Sequence, residues 1–190
     1  MKPYEFKKIE TALIIYWSKT GNTEKVANAI KQGLEEVNVH VTLKKPEEAE
    51  NLDYFDYDLV CVGCPSRYWH PPEQMTDFLK KKHNFYREND KIKLGAPKVG
   101  GKKAVVFVTY SGSRTGLAEA TPAGKYVGQF FEQIGFTVVA EWYVLSEFHG
   151  SRERSTQGRM GDLRGKPTAE QLRAIKDNAR DLVPKEPPAP

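Results

Sequence analysis

Cysteine is scarce, and its scarcity removes several classes at once. The 190 residues hold only Cys61 and Cys64, too few for a disulfide framework in a chain of this size. Long apolar runs are also missing: nothing approaches the ~18 residues that a membrane span requires. Residues 1–10 are mixed in charge and lack the apolar centre of a signal peptide. A cytoplasmic location is the expectation that follows. His40, His70, His83 and His149 show no ligand spacing, so no metal site is expected. Neither a recognition-helix motif nor an aromatic RNP-type strand is present, which speaks against nucleic acid.

What is there suits a globular domain. Hydrophobic residues make up 39% of the chain, enough for one core. Residues 1–183 are expected to form a single domain, and the Pro-rich residues 184–190 a disordered tail. The net charge is +4. Lys80, Lys81, Lys82, Arg87, Lys91, Lys93, Lys98, Lys102 and Lys103 crowd one region. Such a run is ordinarily a solvated face, and otherwise a docking surface for an anionic cofactor, substrate or acidic partner.

Strands alternate with helices throughout. Residues 12–17 form a continuous apolar run, as a buried parallel strand does. A helix follows with Val26, Ala27, Ile30 and Leu34 on one face. Val39, Val41 and Leu43 alternate with polar residues and mark a less buried strand. Residues 59–62 are the third strand. Residues 73–82 form a helix with Met75, Phe78 and Leu79 inward, and residues 104–108 are the fourth strand. Pro122 suits the first position of the next helix, whose face is Val127, Phe130, Phe131 and Ile134 and whose end is Gly135. Residues 138–145 are the fifth strand. Thr168 and Gln171 form a capping box ahead of a last helix with Leu172, Ile175, Ala179 and Leu182 on one face. This alternation predicts an α/β fold, a three-layer sandwich with a five-stranded parallel sheet. Residues 83–101 and 146–167 exceed ordinary loop lengths, which marks them as functional or disordered.

The most informative segment follows the first strand: Ser18, Lys19, Thr20, Gly21, Asn22 and Thr23. In an open α/β sheet, ligands bind beyond the carboxyl ends of the strands. A helix N-terminus there offers unpaired N–H groups and a positive dipole end. Ser18, Thr20 and Thr23 add hydroxyls, Asn22 adds an amide, and Gly21 lets the backbone curl tightly. G-x-x-x-x-G-K-[ST] is absent, which excludes a nucleoside-triphosphate loop. G-x-G-x-x-G is absent after this strand, which argues against a dinucleotide pyrophosphate. Neutral hydroxyl donors suit a terminal phosphate; the plain alternative is an ordinary Ser/Thr helix cap.

Two more loops sit at the same predicted sheet edge. After the third strand come Pro65, Ser66, Arg67, Tyr68 and Trp69, whose aromatic rings could cover a flat ligand. After the fourth come Thr109, Tyr110, Ser111, Gly112 and Gly116, rich in hydroxyls and close backbone. Cys61 and Cys64 spell C-x-x-C, but Cys61 lies within a strand and the two side chains should face opposite ways, so both are read as structural. His70 and His149 follow the third and fifth strands. Arg152, Arg154, Arg159, Arg164 and Lys166 lie among glycines, either in a mobile loop or in an anion-binding flap.

Ser-x-Thr-Gly-Asn-Thr after a first apolar strand resembles the FMN phosphate loop of the flavodoxin family. The likeness runs over about residues 11–182. It implies strand order 2-1-3-4-5 and FMN, with the phosphate at residues 18–23 and the ring between the loops at 65–69 and 109–116. Gly63, Pro65, Ser66, Arg67, Tyr68, Gln74, Met75, Phe78 and Leu79 resemble the corresponding stretch of NAD(P)H:quinone oxidoreductases of the tryptophan-repressor-binding-protein type. That resemblance implies NAD(P)H and a quinone-like acceptor as partners, and leaves assembly into a homo-oligomer open. The flavin would carry the chemistry, with no catalytic side chain required. Tyr68, Trp69, Tyr110 and Phe85 or Tyr86 are candidates for an aromatic slot beside it. The alternative is a flavodoxin electron carrier working between redox protein partners. Three features favour the enzyme: the basic charge where flavodoxins are acidic, the long loops, and the lack of Gly between Pro65 and Pro72, where carriers turn a peptide beside the flavin.

Overall fold

The computed structural model describes residues 8–183; the expected tail at 184–190 lies outside them. The elements are β1 (Thr11–Tyr16), α1 (Asn22–Glu35), β2 (His40–Lys44), β3 (Leu59–Pro65), α2 (Glu73–Glu88), β4 (Lys103–Tyr110), α3 (Thr121–Gln133), β5 (Thr137–Leu145), α4 (Arg152–Thr156) and α5 (Ala169–Arg180). The strands form one five-stranded sheet in the order β2-β1-β3-β4-β5, and every pair is parallel. All carboxyl ends therefore emerge at one edge. The order reverses beside β1, which places the β1 and β3 loops at the switch point.

Side chains alternate across each strand and feed two cores. Leu13, Val60, Val62 and Val106 pack with Met75, Phe78 and Leu79 of α2 and Val127 and Phe131 of α3. Ile14, Cys61, Val105 and Phe107 pack on the other face with Val26 and Ile30 of α1 and Ile175 and Ala179 of α5. These are the apolar stripes expected from the helical spacing, and fully burying each such aliphatic side chain contributes roughly 1.5–3 kcal/mol. α1 and α5 touch at Gly33, where an added Cβ would lie 2.1 Å from the Lys176 carbonyl oxygen.

α2 continues to Glu88, past the expected end at residue 82. The extension is amphipathic in a way that residue type hides. Lys82 is buried, and its ammonium donates to the carbonyls of Glu50 and Leu52 at 2.7 and 2.6 Å. Burial lowers its pKa. One turn on, buried Tyr86 donates to Asp53 and accepts from the Tyr54 amide. Since α2 starts at the carboxyl edge of the sheet, Phe85 and Tyr86 lie at its far end. They are not available for a slot at the strand termini, which corrects that expectation.

The basic run is likewise not one free face. Lys80 pairs with Asp77, Lys81 with Glu50 and Lys98 with Glu132. Lys102 donates to the carbonyls of Phe55 and Tyr57. Cys61 and Cys64 fall in opposite cores, as alternation requires. Burial raises both thiols, that of Cys64 to about 12, so neither is a thiolate nucleophile near neutral pH. Among the described residues, no helix is long and apolar enough to cross a membrane.

Candidate functional site

α1 begins without a side-chain cap. Its N-cap is Gly21, at φ +88°, a left-handed conformation that glycine adopts without steric cost. The Ser18 hydroxyl turns back to accept from the Gly21 amide at 3.1 Å, closing the loop into a ring. The amides of the first turn of α1 thus face the sheet edge with the positive end of the helix dipole behind them.

The loop is tied to its neighbours by hydrogen bonds. Thr23 and Thr109 join hydroxyl to hydroxyl at 2.8 Å, fully buried, linking α1 to the end of β4. The Ser66 amide donates to the Thr109 carbonyl at 2.8 Å, and the Ser66 hydroxyl to the Glu119 carbonyl. Asn22 is buried; its amide nitrogen donates to the Glu147 carbonyl at 3.0 Å, while its Oδ1 has no partner. A buried acceptor left unmet costs roughly 1–3 kcal/mol.

Together these loops enclose a cavity of about 410 Å³, within the range of small-molecule sites. It is lined by Ser18, Lys19, Thr20, Asn22 and Thr23 from the first loop, Pro65, Ser66 and Arg67 from the second, and Thr109, Tyr110 and Ser111 from the third. Gly21 shapes the first loop from behind. Gly112 and Gly116 sit at positive φ in a turn closed by the Gly116 amide on the Gly112 carbonyl. A larger concavity of about 500 Å³ runs between α3 and β5. Two of its charged side chains, Lys125 and Glu141, pair with each other, and it lies away from the strand ends. The smaller cavity, where the loops converge, is the one with chemistry to offer.

Tyr68 and Trp69 are not part of its lining. Arg67 and His70 pair backbone to backbone, at 2.8 and 3.1 Å, with Tyr68 at φ +49° and Trp69 at φ +66° between them. This is the type I′ turn, which prefers Asn-Gly. The turn holds both rings outside the cavity, 80% and 57% exposed. His70 packs edge-on against Tyr126 rather than facing the site.

Aromatic lining comes instead from Trp17, Tyr110 and Phe148. Burial raises the pKa of Tyr110. Ser146, Glu147, Phe148, His149 and Gly150 make a fourth wall at the start of the long segment 146–167, in which His149 alone of these five was singled out as a residue. The position of this loop at the end of a parallel strand was the available clue. The segment beyond it is built rather than loose. The Ser155 hydroxyl accepts from the Phe148 amide at 3.0 Å and donates to the Phe148 carbonyl at 2.9 Å. The Leu163 amide closes on the Ser155 carbonyl at 2.7 Å, and both Ser155 and Leu163 are buried. The Gly165 amide donates to the Glu147 carboxylate.

The fold has known counterparts. A family model described as Flavodoxin matches residues 14–175. The chain is 27% identical over 193 residues to NAD(P)H dehydrogenase (quinone) 3 of Rhizobium meliloti (strain 1021), covering 90% of this chain and 82% of that protein. It is 31% identical over 126 residues to the flavodoxin of Megasphaera elsdenii, covering 66% of this chain and 80% of that one. Oxidised flavodoxin 1 from Bacillus cereus superposes with a TM-score of 0.61 at 17% identity, over 90% of this chain and 95% of that one, a likeness of fold. With the family match spanning most of the domain and the strand order agreeing, the chain belongs to the flavodoxin family.

Proposed function

We propose that the cavity holds FMN and that the protein moves two electrons from NAD(P)H to a quinone-like acceptor. The observation that carries this reading is the uncapped N-terminus of α1, opening beside a buried Asn22 Oδ1 with no partner. A terminal phosphate would meet the first-turn amides and the hydroxyls of Ser18 and Thr20. The unmet Oδ1 needs a donor, and a sugar-alcohol hydroxyl adjoining that phosphate would supply one. The neighbouring loops at 65–67 and 109–111 would border the ring, with Gly112 and Gly116 shaping the turn behind. Tyr68 and Trp69 would act from the rim.

The bound flavin would supply hydride chemistry, accepting two electrons and a proton as hydride from a nicotinamide, taking a second proton from solvent, and returning two electrons and two protons to a quinone. What the chain contributes is position and exclusion of water. Tyr110, Trp17 and Phe148 offer apolar surface, and residues 146–150 wall one side of the cavity. A slot shared by both substrates implies ping-pong kinetics. A match to the quinone dehydrogenase of Rhizobium meliloti across 90% of the chain and the net charge of +4 support the enzyme. The cytoplasm, where reduced nicotinamide nucleotides are held, is the compartment this reading implies.

A one-electron carrier between redox proteins is the second reading. It is favoured by the sequence of residues 18–23 and by the higher identity to the Megasphaera elsdenii flavodoxin. Anaerobic addition of NADH or NADPH to the purified protein separates the two. The enzyme bleaches rapidly and recovers its colour with a benzoquinone; a carrier stays coloured with both nucleotides.

A further inference from the structure

We infer that the rim of the cavity carries a phosphate-monoester site formed by Arg114, Arg154 and Arg159, and that its ligand is the 2′-phosphate of NADPH. The inference rests on the proposed use of NAD(P)H at this cavity. It turns on which charges in this region are already committed.

Two segments meet at the rim. The turn after β4, with Ser113 and Arg114, lies against residues 158–159: the Arg159 amide donates to the Ser113 carbonyl at 2.8 Å. Gly158 sits so close to Ser113 and the Arg154 carbonyl that an added Cβ would come within 2.9 and 3.0 Å of them. The Arg159 side chain lies alongside Gly116. Arg154 sits with its guanidinium 5.1 Å from the centre of the Phe148 ring, and Phe148 lines the cavity. Ser155, next in the chain, is buried and locks α4 onto Phe148 through both of its hydroxyl bonds. The three arginines therefore stand on fixed backbone next to a cavity wall.

Glu119, Glu147 and Asp162 already hold other groups, and Glu153, beside Arg154 in α4, is exposed to solvent. One Glu119 oxygen accepts from the amides of Arg114 and Thr115, at 2.6 and 2.7 Å. Glu147 accepts from the Gly165 amide at 2.9 Å. Asp162 is held by Arg164, which pulls its carboxyl down to about 2. Among the described residues, the guanidinium groups of Arg114, Arg154 and Arg159 have no ion-pair partner. Guanidinium groups match the oxygen geometry of a phosphate. A nicotinamide seated at the ring would leave its adenosine end outside the cavity, and this rim is a cationic surface beside Phe148 of the cavity wall, apart from Lys19 and Arg67 in the lining.

The test is calorimetric titration of the purified flavoprotein with 2′,5′-ADP and with 5′-AMP, which lacks the 2′-phosphate. The expected result at low salt is at least tenfold tighter binding of 2′,5′-ADP, with the difference shrinking as salt rises. In R154Q/R159Q the preference should vanish, while R154K/R159K should keep part of it. The ratio of kcat/KM for NADPH over NADH should fall toward one in the glutamine variant, through KM. Equal binding of the two nucleotides, or a preference that survives R154Q/R159Q, overturns the assignment. If neither nicotinamide nucleotide bleaches the flavin but 2′,5′-ADP is still preferred, the reductase reading fails and the phosphate site stands. If both bleach it and no preference appears, the reverse holds.

Discussion

Replacing Tyr68 and Trp69 together by Asn and Gly should make the protein more stable. Both residues are held at positive φ, where a non-glycine residue sits roughly 1–2 kcal/mol above right-handed backbone. The hairpin bonds between Arg67 and His70 are retained by Asn-Gly, the preferred pair for this turn. Little burial is lost, since the rings are 80% and 57% exposed. Relief at two positions is about 2–4 kcal/mol, and glycine returns roughly 0.5–1 kcal/mol through the unfolded chain while Asn keeps part of the strain. A net gain of about 1–2 kcal/mol shifts a melting midpoint by about 2–8 °C in a domain of this size. Thermal unfolding of Y68N/W69G beside the parent protein, followed by circular dichroism in the same buffer, measures it. An unchanged or lower midpoint would refute the reasoning, because the rings would then be making contacts that outweigh the backbone strain.

The same turn bears on the one-electron state of the flavin. Inverting its central peptide would carry Tyr68 into backbone open essentially to glycine, at a cost of about 1–3 kcal/mol. Photoreduction to the halfway point should therefore show little long-wavelength absorbance, and Y68G should show more; a large, stable blue species in the parent protein would favour the carrier. Changing Thr20 to Ala should weaken FMN binding on the order of tenfold, since a hydrogen bond to a charged group contributes roughly 1.5–3 kcal/mol; an unchanged dissociation constant would mean that the amides alone hold the phosphate. Thr23→Ala should in addition lower stability by roughly 1–3 kcal/mol, because it leaves the buried Thr109 hydroxyl unmet; urea unfolding with no loss would contradict that bond. Both thiols should ignore a disulfide reagent at pH 8 until the protein is unfolded. Burial raises their pKa values from 9.0, so their contribution to stability is complete below pH 9 and falls as the pH climbs toward 12. Rapid labelling of the native protein would show Cys61 or Cys64 to be accessible.

The parallel order and both cores were legible because apolar runs at 12–17, 59–62 and 104–108 and helical stripes such as Val26, Ile30 and Leu34 carry a clear period. Residues 18–23 stood out because an anion site at a helix N-terminus depends on local chain alone. Other features depended on distant partners. The second half of α2 was hidden because Lys82 looks like a surface residue until the carbonyls of Glu50 and Leu52 are brought to it. Tyr68 and Trp69 were expected over a ring because aromatics near a ligand suggest stacking, but their turn geometry, invisible in residue type, directs them outward. Phe148 escaped notice because its place in the wall is set by Ser155, seven residues on. Within the basic cluster at 80–103, Lys81, Lys82, Lys98 and Lys102 are held by acids and carbonyls that only tertiary structure could supply.

The proposed function depends on FMN as the ligand of the cavity. Heating the purified protein to release its ligand, followed by mass measurement of the supernatant, tests it most directly. FMN at one equivalent per chain, recovered as such or after reconstitution with excess FMN, is the predicted result. FAD in its place, or no flavin retained after reconstitution, would contradict the assignment of residues 18–23 and the function built on it.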